Sequence, residues 1–539
     1  MLKKLAAEAL SRLSVRPRAS LSAASDPGAQ LIQAAELLDL GDLEAARRIC
    51  VALLAGHPDL ADACNLLGGI AFRQRDFGLA AEHFSEALAI DSTNPDFHNN
   101  YGNAMAEQWR IDDAVIAFRR AIMLQARHAN ARQNLLWLMN ARPEFSAEER
   151  FQEHCRWAEA CAEPLRSTQQ AWPNARDPNR RLRIGYVSPD FRTHAVGYFI
   201  EPILAHHDSD KVDVVCYSGS SSTDAATVRM RAHAALWRDI APLSDDAAAK
   251  QVCDDGIDIL VDLAGHTRGN RLLMFARKPA PVQVTFLGYP STTGMSAMDY
   301  RFTDGIADGR GAERFYRERL VRLPRGLWCY SPRHQMPEVA PLPALAARRI
   351  TFGSMNSAAK LNQAVIDLWS RILGRVPDST LLLATVPRGE YEARIREAFS
   401  LRRIAGSRLE FHDRVDPDEY LALYRRIDIS LDPFPCNGGT TTCESLWMGV
   451  PVVTLAGDDF RSRAGLSLLL RAGLERLAAR DAFAYVETAI ALARDIPALS
   501  TMRAGLREHV RASPLGDIGA YVASLERAYR SMWMDWCHA

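Results

Sequence analysis

Asp432-Pro-Phe-Pro-Cys-Asn-Gly-Gly-Thr-Thr-Thr-Cys-Glu-Ser-Leu-Trp-Met-Gly-Val-Pro-Val-Val-Thr454 is the stretch on which the reading of this chain turns. The apolar run before it, Ile427 to Leu431, gives way to Pro and Gly. Small hydroxyl residues follow, and a helical pattern then runs to Gly449 before a second apolar run. The order is strand, loop, helix N-terminus, helix, strand. Such a loop leaves main-chain N–H groups unpaired at the positive end of a helix dipole, so it forms a cradle for a phosphate. In the segment Asn437 to Glu444, Gly438 and Gly439 let the backbone approach closely, and the hydroxyls of Thr440, Thr441 and Thr442 add donors. Glu444, one turn in, offers a carboxylate to a ribose hydroxyl. The stretch reads as a nucleotide-diphosphate site, with an ordinary βαβ turn as the plainer alternative.

Working outward, short apolar runs alternate with helical segments from Arg181 onward. Leu182–Ser188, Val212–Tyr217, Ile257–Leu263, Val282–Leu287, Tyr300–Thr303 and Leu320–Leu323 read as strands of one sheet. After a Pro-rich connector (331–345), Ile350–Gly353, Thr380–Ala384, Leu409–Phe411, Ile427–Leu431 and Val452–Leu455 read as strands of a second. Several runs are apolar on both faces, as parallel strands covered by helices require. The expected class is α/β, two doubly wound domains with a cleft at the carboxyl ends of both sheets, where ligands of open α/β sheets bind. The long helical pattern around Ala520 to Trp533 is expected to pack back across the domains.

The N-terminal third repeats with a period of 34. Ala46, Ala80 and Ala114 align, as do Cys50, Phe84 and Phe118, then Leu53, Ala87 and Ala121, while Gly68 aligns with Gly102. That is the period of tetratricopeptide repeats, helix pairs that bury their apolar faces only by stacking. Units fall at 27–60, 61–94 and 95–128, with a further helix from Ala129. The solenoid is expected to recruit a protein acceptor, with bracing of the next domain as the plainer reading. Ser146 and Glu149 form a capping box that starts a bridging helix carrying His154. The boundaries drawn are a basic N-terminal tail or helix (1–26), repeats (27–140), bridging helix and linker (141–180), a first catalytic lobe (181–340) and a second lobe with the terminal helix (341–539).

Bulk composition excludes several classes. Lys plus Arg and Asp plus Glu are 65 each, so no net field favours nucleic acid. The ten cysteines lack CxxC spacing, against a structural zinc or a disulfide framework, and no segment has the roughly 18 apolar residues of a membrane span. The expected compartment is the cytoplasm, and no metal site or resident cofactor is expected. Asp416-Pro417-Asp418 is a lone DxD before a helix, where it caps the helix rather than holding a metal.

Chemistry gathers at strand ends. Asp190 and His194 follow the first strand, placing a carboxylate and an imidazole four residues apart. Ser354 to Lys360 follows Ile350–Gly353 and ends in one Lys, and His266 and Arg268 follow the Ile257 strand. In this reading Lys360, reaching across from the opposite lobe, and the helix N-terminus steady charge on a departing diphosphate, while His194 or Asp190 takes the proton of an attacking hydroxyl. A structural role is the alternative for each of these, and for His154.

Five motifs in order resemble one family: the repeats, Gly185–Phe191, Asp255–Thr267, Leu287–Gly294 and Cys436–Thr442. Together they are similar to the protein O-GlcNAc transferase / SPINDLY family from about residue 27 onward. The resemblance implies a GT-B pair of Rossmann-like domains behind an α-solenoid, and a metal-independent, inverting transferase acting on Ser or Thr of proteins. It implies UDP-GlcNAc as donor, with GDP-fucose (as in SPINDLY members) or UDP-glucose as alternatives, and a degenerate repeat scaffold as the non-enzymatic one. It assigns Asp190 and His194 to proton transfer, Lys360, Thr440 and Thr441 to the diphosphate, Glu444 to the ribose, Leu287 and Gly288 to the donor-sugar pocket, and His154 to the cleft wall. The chain departs from animal members at Gly439 and Tyr420, where they carry His, at Ser357, where they carry Gln, and at Thr193 and Val196. Each departure changes a hydrogen bond of roughly 0.5–1.5 kcal/mol and bears on the donor more than on the reaction.

Overall fold

The computed structural model describes residues 26–168, 172–333 and 336–539; the basic N-terminal segment drawn at 1–26 lies, apart from Asp26, outside them. The chain divides into two compact units, Met1–Leu135 with Pro387–Arg394, and Leu136–Val386 with Ile395–Ala539.

In the first unit the 34-residue period becomes three helix pairs: Pro27–Leu40 with Leu43–Gly56, Ala61–Arg73 with Phe77–Ile90, and Pro95–Ala106 with Ile111–Leu124. Asp26, Asp42, Asp76 and Asn94 cap four of the six helices with side-chain oxygens. The repeating small residues have a steric cause. A Cβ on Gly68 would lie 2.5 Å from the Phe84 ring, and one on Gly102 would lie 2.7 Å from the Phe118 ring. Ala46, Ala80 and Ala114 are wholly buried at the equivalent crossings.

The second unit holds two sheets, all of whose strand pairs are parallel. The first comprises β1 (Leu182–Ser188), β2 (Val212–Ser218), β3 (Leu236–Asp239), β4 (Ile259–Asp262), β5 (Val282–Thr285), β6 (Tyr300–Thr303) and β7 (Arg319–Arg322), in the order β3-β2-β1-β4-β5-β6-β7. The second comprises β8 (Thr351–Ser354), β9 (Thr380–Leu383), β10 (Leu409–Phe411), β11 (Ile429–Leu431), β12 (Val452–Leu455) and β13 (Ala478–Ala479), in the order β10-β9-β8-β11-β12-β13. Two strands escape the sequence reading. β3 is a half-exposed edge strand with charges at its end, and β13 is two residues long, so neither shows as an apolar run.

Each order reverses direction once, between β1 and β4 and between β8 and β11. At such a reversal the flanking loops part, and a crevice opens beyond the strand ends. Asp190 and His194 follow β1, His266 and Arg268 follow β4, Lys360 follows β8 and the Asn437 loop follows β11. These candidate residues therefore lie at the two switch points because of strand order, whereas Leu287 and Gly288 follow β5, Tyr420 lies in the helix after β10 and His154 lies on the bridging helix. The terminal helix Ile518–His538 crosses back to the first sheet, where the Tyr529 and Tyr186 hydroxyls lie 3.1 Å apart and Glu526 bonds His207 at 2.9 Å.

Candidate functional site

The helix Thr440–Trp447 opens at Gly439 without a side-chain cap, and its first main-chain bond inside the turn is Cys443 N–H to Gly439 O at 3.1 Å. The N–H groups of Gly439, Thr440, Thr441 and Thr442 have no acceptor among the described residues. Two neighbouring amides are spent on the fold. Gly438 donates to Asp432 Oδ1 at 2.7 Å, and Asn437 donates to the carbonyl of Arg461 at 2.8 Å. The cradle thus starts at Gly439, two residues later than the Asn437 start read from the sequence.

Lys360 stands beside this turn. Its Nζ donates to the Asn437 carbonyl at 2.7 Å and to Asn356 Oδ1 at 2.9 Å. The expectation that it reaches across from the opposite lobe is corrected. β8 and β11 pair directly, so the loops that leave them abut within one lobe. The Thr441 hydroxyl also donates to Asn356 Oδ1, at 3.0 Å, while Thr442 Oγ1 is buried without a partner among the described residues and Thr440 is part-exposed. Asn356 and Asp432 are therefore the organising residues that sequence reasoning passed over. Asp432 closes β11, accepts from Gly438 and from Thr454 Oγ1 at 2.6 Å, and burial pushes its carboxyl up to about 6. Its position at the strand end was the available signal.

On the facing lobe, His194 is the N-cap of the helix Ala195–His206. Its Nδ1 lies 3.3 Å from the Val196 N–H and 3.5 Å from Asp190 Oδ1. Burial holds the imidazole pKa below its usual value; Asp190 pulls it up, whereas Arg192 of its own loop and Arg414 of the other lobe push it down. Burial raises the Asp190 carboxyl, against the pull of His194 and Arg192. A neutral imidazole is thus available for proton transfer near neutral pH.

Leu287 and Gly288 form a tight turn after β5. Leu287 has φ +75°, and the Gly288 N–H donates to Phe286 O at 2.9 Å, a strained three-residue turn. A Cβ on Gly288 would lie 2.0 Å from the Leu263 carbonyl, so only glycine fits against β4. Tyr420 donates to the Met355 carbonyl at 2.8 Å and stands edge-on to Tyr424.

Three expectations are corrected by burial. Glu444 is 1% exposed and paired with Arg333, whose guanidinium lies 4.3 Å from the Tyr198 ring centroid, so its carboxylate anchors that arginine rather than facing a ribose. His154 does not face the cleft. It is wholly buried, its Nδ1–H donating to the Arg150 carbonyl at 2.6 Å and its Nε2 accepting from the Tyr289 hydroxyl at 2.8 Å. His266, also buried, packs edge-on to Trp157 and donates to the Thr293 carbonyl at 2.9 Å. Both imidazoles are held neutral by desolvation, His266 with a pKa of about 4. Arg268, in the loop after β4, is exposed. Asp416 caps its helix through the N–H groups of Asp418 and Glu419, as expected for the lone DxD. No group of three or more metal-binding side chains occurs among the described residues, and no described helix is long and apolar enough to cross a membrane.

Comparison with known proteins is consistent with this geometry. The chain is similar to "Probable UDP-N-acetylglucosamine--peptide N-acetylglucosaminyltransferase SPINDLY" of Petunia hybrida, with 43% identity over 421 residues, covering 76% of this chain and 44% of that protein. It is 33% identical over 368 residues to the protein of the same enzyme name designated SEC in Arabidopsis thaliana, covering 66% of this chain and 38% of that one. The chain thus spans less than half the length of these plant relatives. A solved mutant O-GlcNAc transferase of Thermobaculum terrenum superposes with a TM-score of 0.89 at 38% identity, covering 96% of this chain and 99% of that one. The model of glycosyl transferase family 41 matches residues 145–341 and 341–525, both lobes and the switch points between which the site is built, and the chain belongs to that family.

Proposed function

We propose that this chain transfers a sugar, with inversion and without a metal, from a nucleotide-sugar donor to Ser or Thr hydroxyls of proteins, the first-choice donor being UDP-GlcNAc. One observation carries the reading: four main-chain N–H groups, Gly439 to Thr442, without an acceptor among the described residues, open a helix beside the ammonium of Lys360. Together they present positive charge where the β-phosphate of a leaving nucleoside diphosphate gains negative charge, a role that calls for no divalent ion. The Asp190 and His194 pair of the facing lobe supplies the base that takes the acceptor proton as the hydroxyl attacks the anomeric carbon from the side opposite the diphosphate. The repeats are assigned to acceptor recruitment.

A second reading keeps the chemistry and exchanges the donor for GDP-fucose. The higher identity to SPINDLY, 43% against 33% to SEC, and the presence of Tyr420 on the nucleotide side favour considering it. Melting temperatures with UDP, GDP and their sugars decide between them, because a ligand that binds only the native state raises the transition. A shift with UDP and UDP-GlcNAc supports the first reading, and a shift with GDP alone replaces it by the second. The absence of a shift with either nucleotide removes the transferase assignment. Intact-mass analysis of proteins co-expressed with the chain then reads sugar mass and acceptor together.

A further inference from the structure

The segment 139–145, where the helix Ala129–Ala141 ends, is tied to the diphosphate loop at two points. The first is Arg461, at the start of the helix Phe460–Arg471. Its guanidinium, 6% exposed, donates to the carbonyls of Met139, Asn140, Arg142 and Phe145 at 3.2, 3.0, 2.8 and 3.1 Å, and Nε meets Asp459 at 3.1 Å. A cation at a helix C-terminus satisfies the last carbonyls, which have no partner within the helix. The main-chain oxygen of the same Arg461 accepts the Asn437 N–H at 2.8 Å, and the Asn437 carbonyl accepts Lys360 Nζ at 2.7 Å.

The second point is Arg142, 5% exposed, which donates to the carbonyl of Leu361, the residue after Lys360, at 2.8 Å. The bonds close into a circuit: segment 139–145 to Arg461, Arg461 to Asn437, Asn437 to Lys360, Leu361 to Arg142, and back. Asn140 joins the circuit to the other lobe by donating to the Tyr289 hydroxyl at 2.7 Å, next to Gly288.

We propose that Arg461 and Arg142 are positioning residues for diphosphate binding, setting the distance between the Lys360 ammonium and the open N–H groups of the Asn437 loop through the end of the helix Ala129–Ala141. The proposal rests on the donor-site reading above. Neither side chain is among the proposed donor contacts; Arg461 fixes the main chain of Asn437, two residues before the open N–H groups, and Arg142 that of Leu361, the residue after Lys360. A displacement of about 1 Å in such a frame is enough to cost about 100-fold in rate.

The test is calorimetric titration of the full chain with nucleoside monophosphate and diphosphate, in both uridine and guanosine series. The wild type, Arg461→Met, Arg461→Lys, Arg142→Met and Lys360→Ala are compared, with melting temperatures recorded for each. The wild type is expected to prefer its diphosphate over the monophosphate. Arg461→Met and Arg142→Met should each lose about tenfold or more in diphosphate affinity while keeping monophosphate affinity, and Arg461→Lys should recover part of the loss. Equal weakening of both ligands, or a lower melting temperature with the diphosphate preference intact, overturns the proposal and leaves a purely structural bolt. If Arg461→Met does not fold, Arg142→Met decides alone. Absence of a diphosphate preference in the wild type, or wild-type binding by Lys360→Ala, instead overturns the donor-site reading itself.

Discussion

Nδ1 of His194 lies 3.3 Å from the N–H of Val196 and 3.5 Å from Asp190 Oδ1, two partners that demand opposite states of one nitrogen. When Nδ1 accepts from Val196 the ring proton sits on Nε2, and that nitrogen takes no proton from an acceptor. When Nδ1–H points at Asp190, Nε2 is a base. The structure shows Nδ1 accepting from Val196; the proposed function requires the Asp190 carboxylate to draw the proton to Nδ1 instead, as a carboxylate behind an imidazole does in other proton-transfer sites. Asp190→Asn is expected to lower kcat by about 100-fold or more, with donor KM close to wild type. Equal loss in kcat and donor affinity would show instead that Asp190 only shapes the loop.

Arg414 supplies a pH handle on the same pair. Its charge, with that of Arg192, helps to hold the His194 imidazole below its usual pKa. Removing a cation favours the protonated ring, so Arg414→Gln should move the acid limb of kcat/KM to higher pH, the limb belonging to the coupled pair rather than to one residue. A limb unmoved by this change excludes the His194 pair as the groups that set it.

The turn after β11, proposed above to hold the diphosphate, makes a steric prediction. A Cβ on Gly438 would meet Thr441 Oγ1 at 2.5 Å, Thr442 Oγ1 at 2.6 Å and Asp432 Oδ1 at 3.1 Å. Both hydroxyls belong to the first turn of the helix Thr440–Trp447, so relief of the clash displaces its open N–H groups. Gly438→Ala should reduce nucleoside-diphosphate affinity by about tenfold or more by calorimetry, whereas Gly439→Ala, whose Cβ meets nothing within 4 Å, should bind far closer to wild type. The reverse order of the two variants would place the phosphate elsewhere.

Much of this architecture is written locally in the chain. β10 and β12 match their apolar runs residue for residue, the repeat helices follow the 34-residue period that sterics impose at Gly68 and Gly102, and the loops after β1, β8 and β11 were expected at a crevice because strand ends are visible as apolar runs meeting polar residues. What escaped is non-local. Arg333, 111 positions from its partner Glu444, comes from a Pro-rich connector with no periodicity, and its ion pair turns an expected ribose contact into an anchor. The ring contacts that bury His154 and His266 likewise join the bridging helix to the loops after β4 and β5. Nor does any motif mark Arg461, whose four carbonyl partners lie more than 300 positions away.

Those buried imidazoles set an acid limit on stability. His266 is 2% exposed, and desolvation lowers its pKa from 6.5 to about 4, so between these values the unfolded chain binds a proton that the folded chain refuses. Stability therefore rises with pH through this window and is lost as pH falls from about 6.5 toward 4, by up to about 3 kcal/mol for this one ring. His154, lowered in the same way, adds to the effect. Asp432 acts in the opposite sense: its carboxyl, raised from 3.8 to about 6, favours the folded chain more strongly as pH falls through that interval. The two trends overlap, so the wild-type curve alone does not isolate the imidazole. The difference between wild type and His266→Asn does, because Asn does not titrate and can still donate toward the Thr293 carbonyl. Chemical denaturation at pH 7 and pH 5 should show a smaller acid loss for His266→Asn than for the wild type; equal losses would mean that the His266 ring is protonated in the fold without penalty.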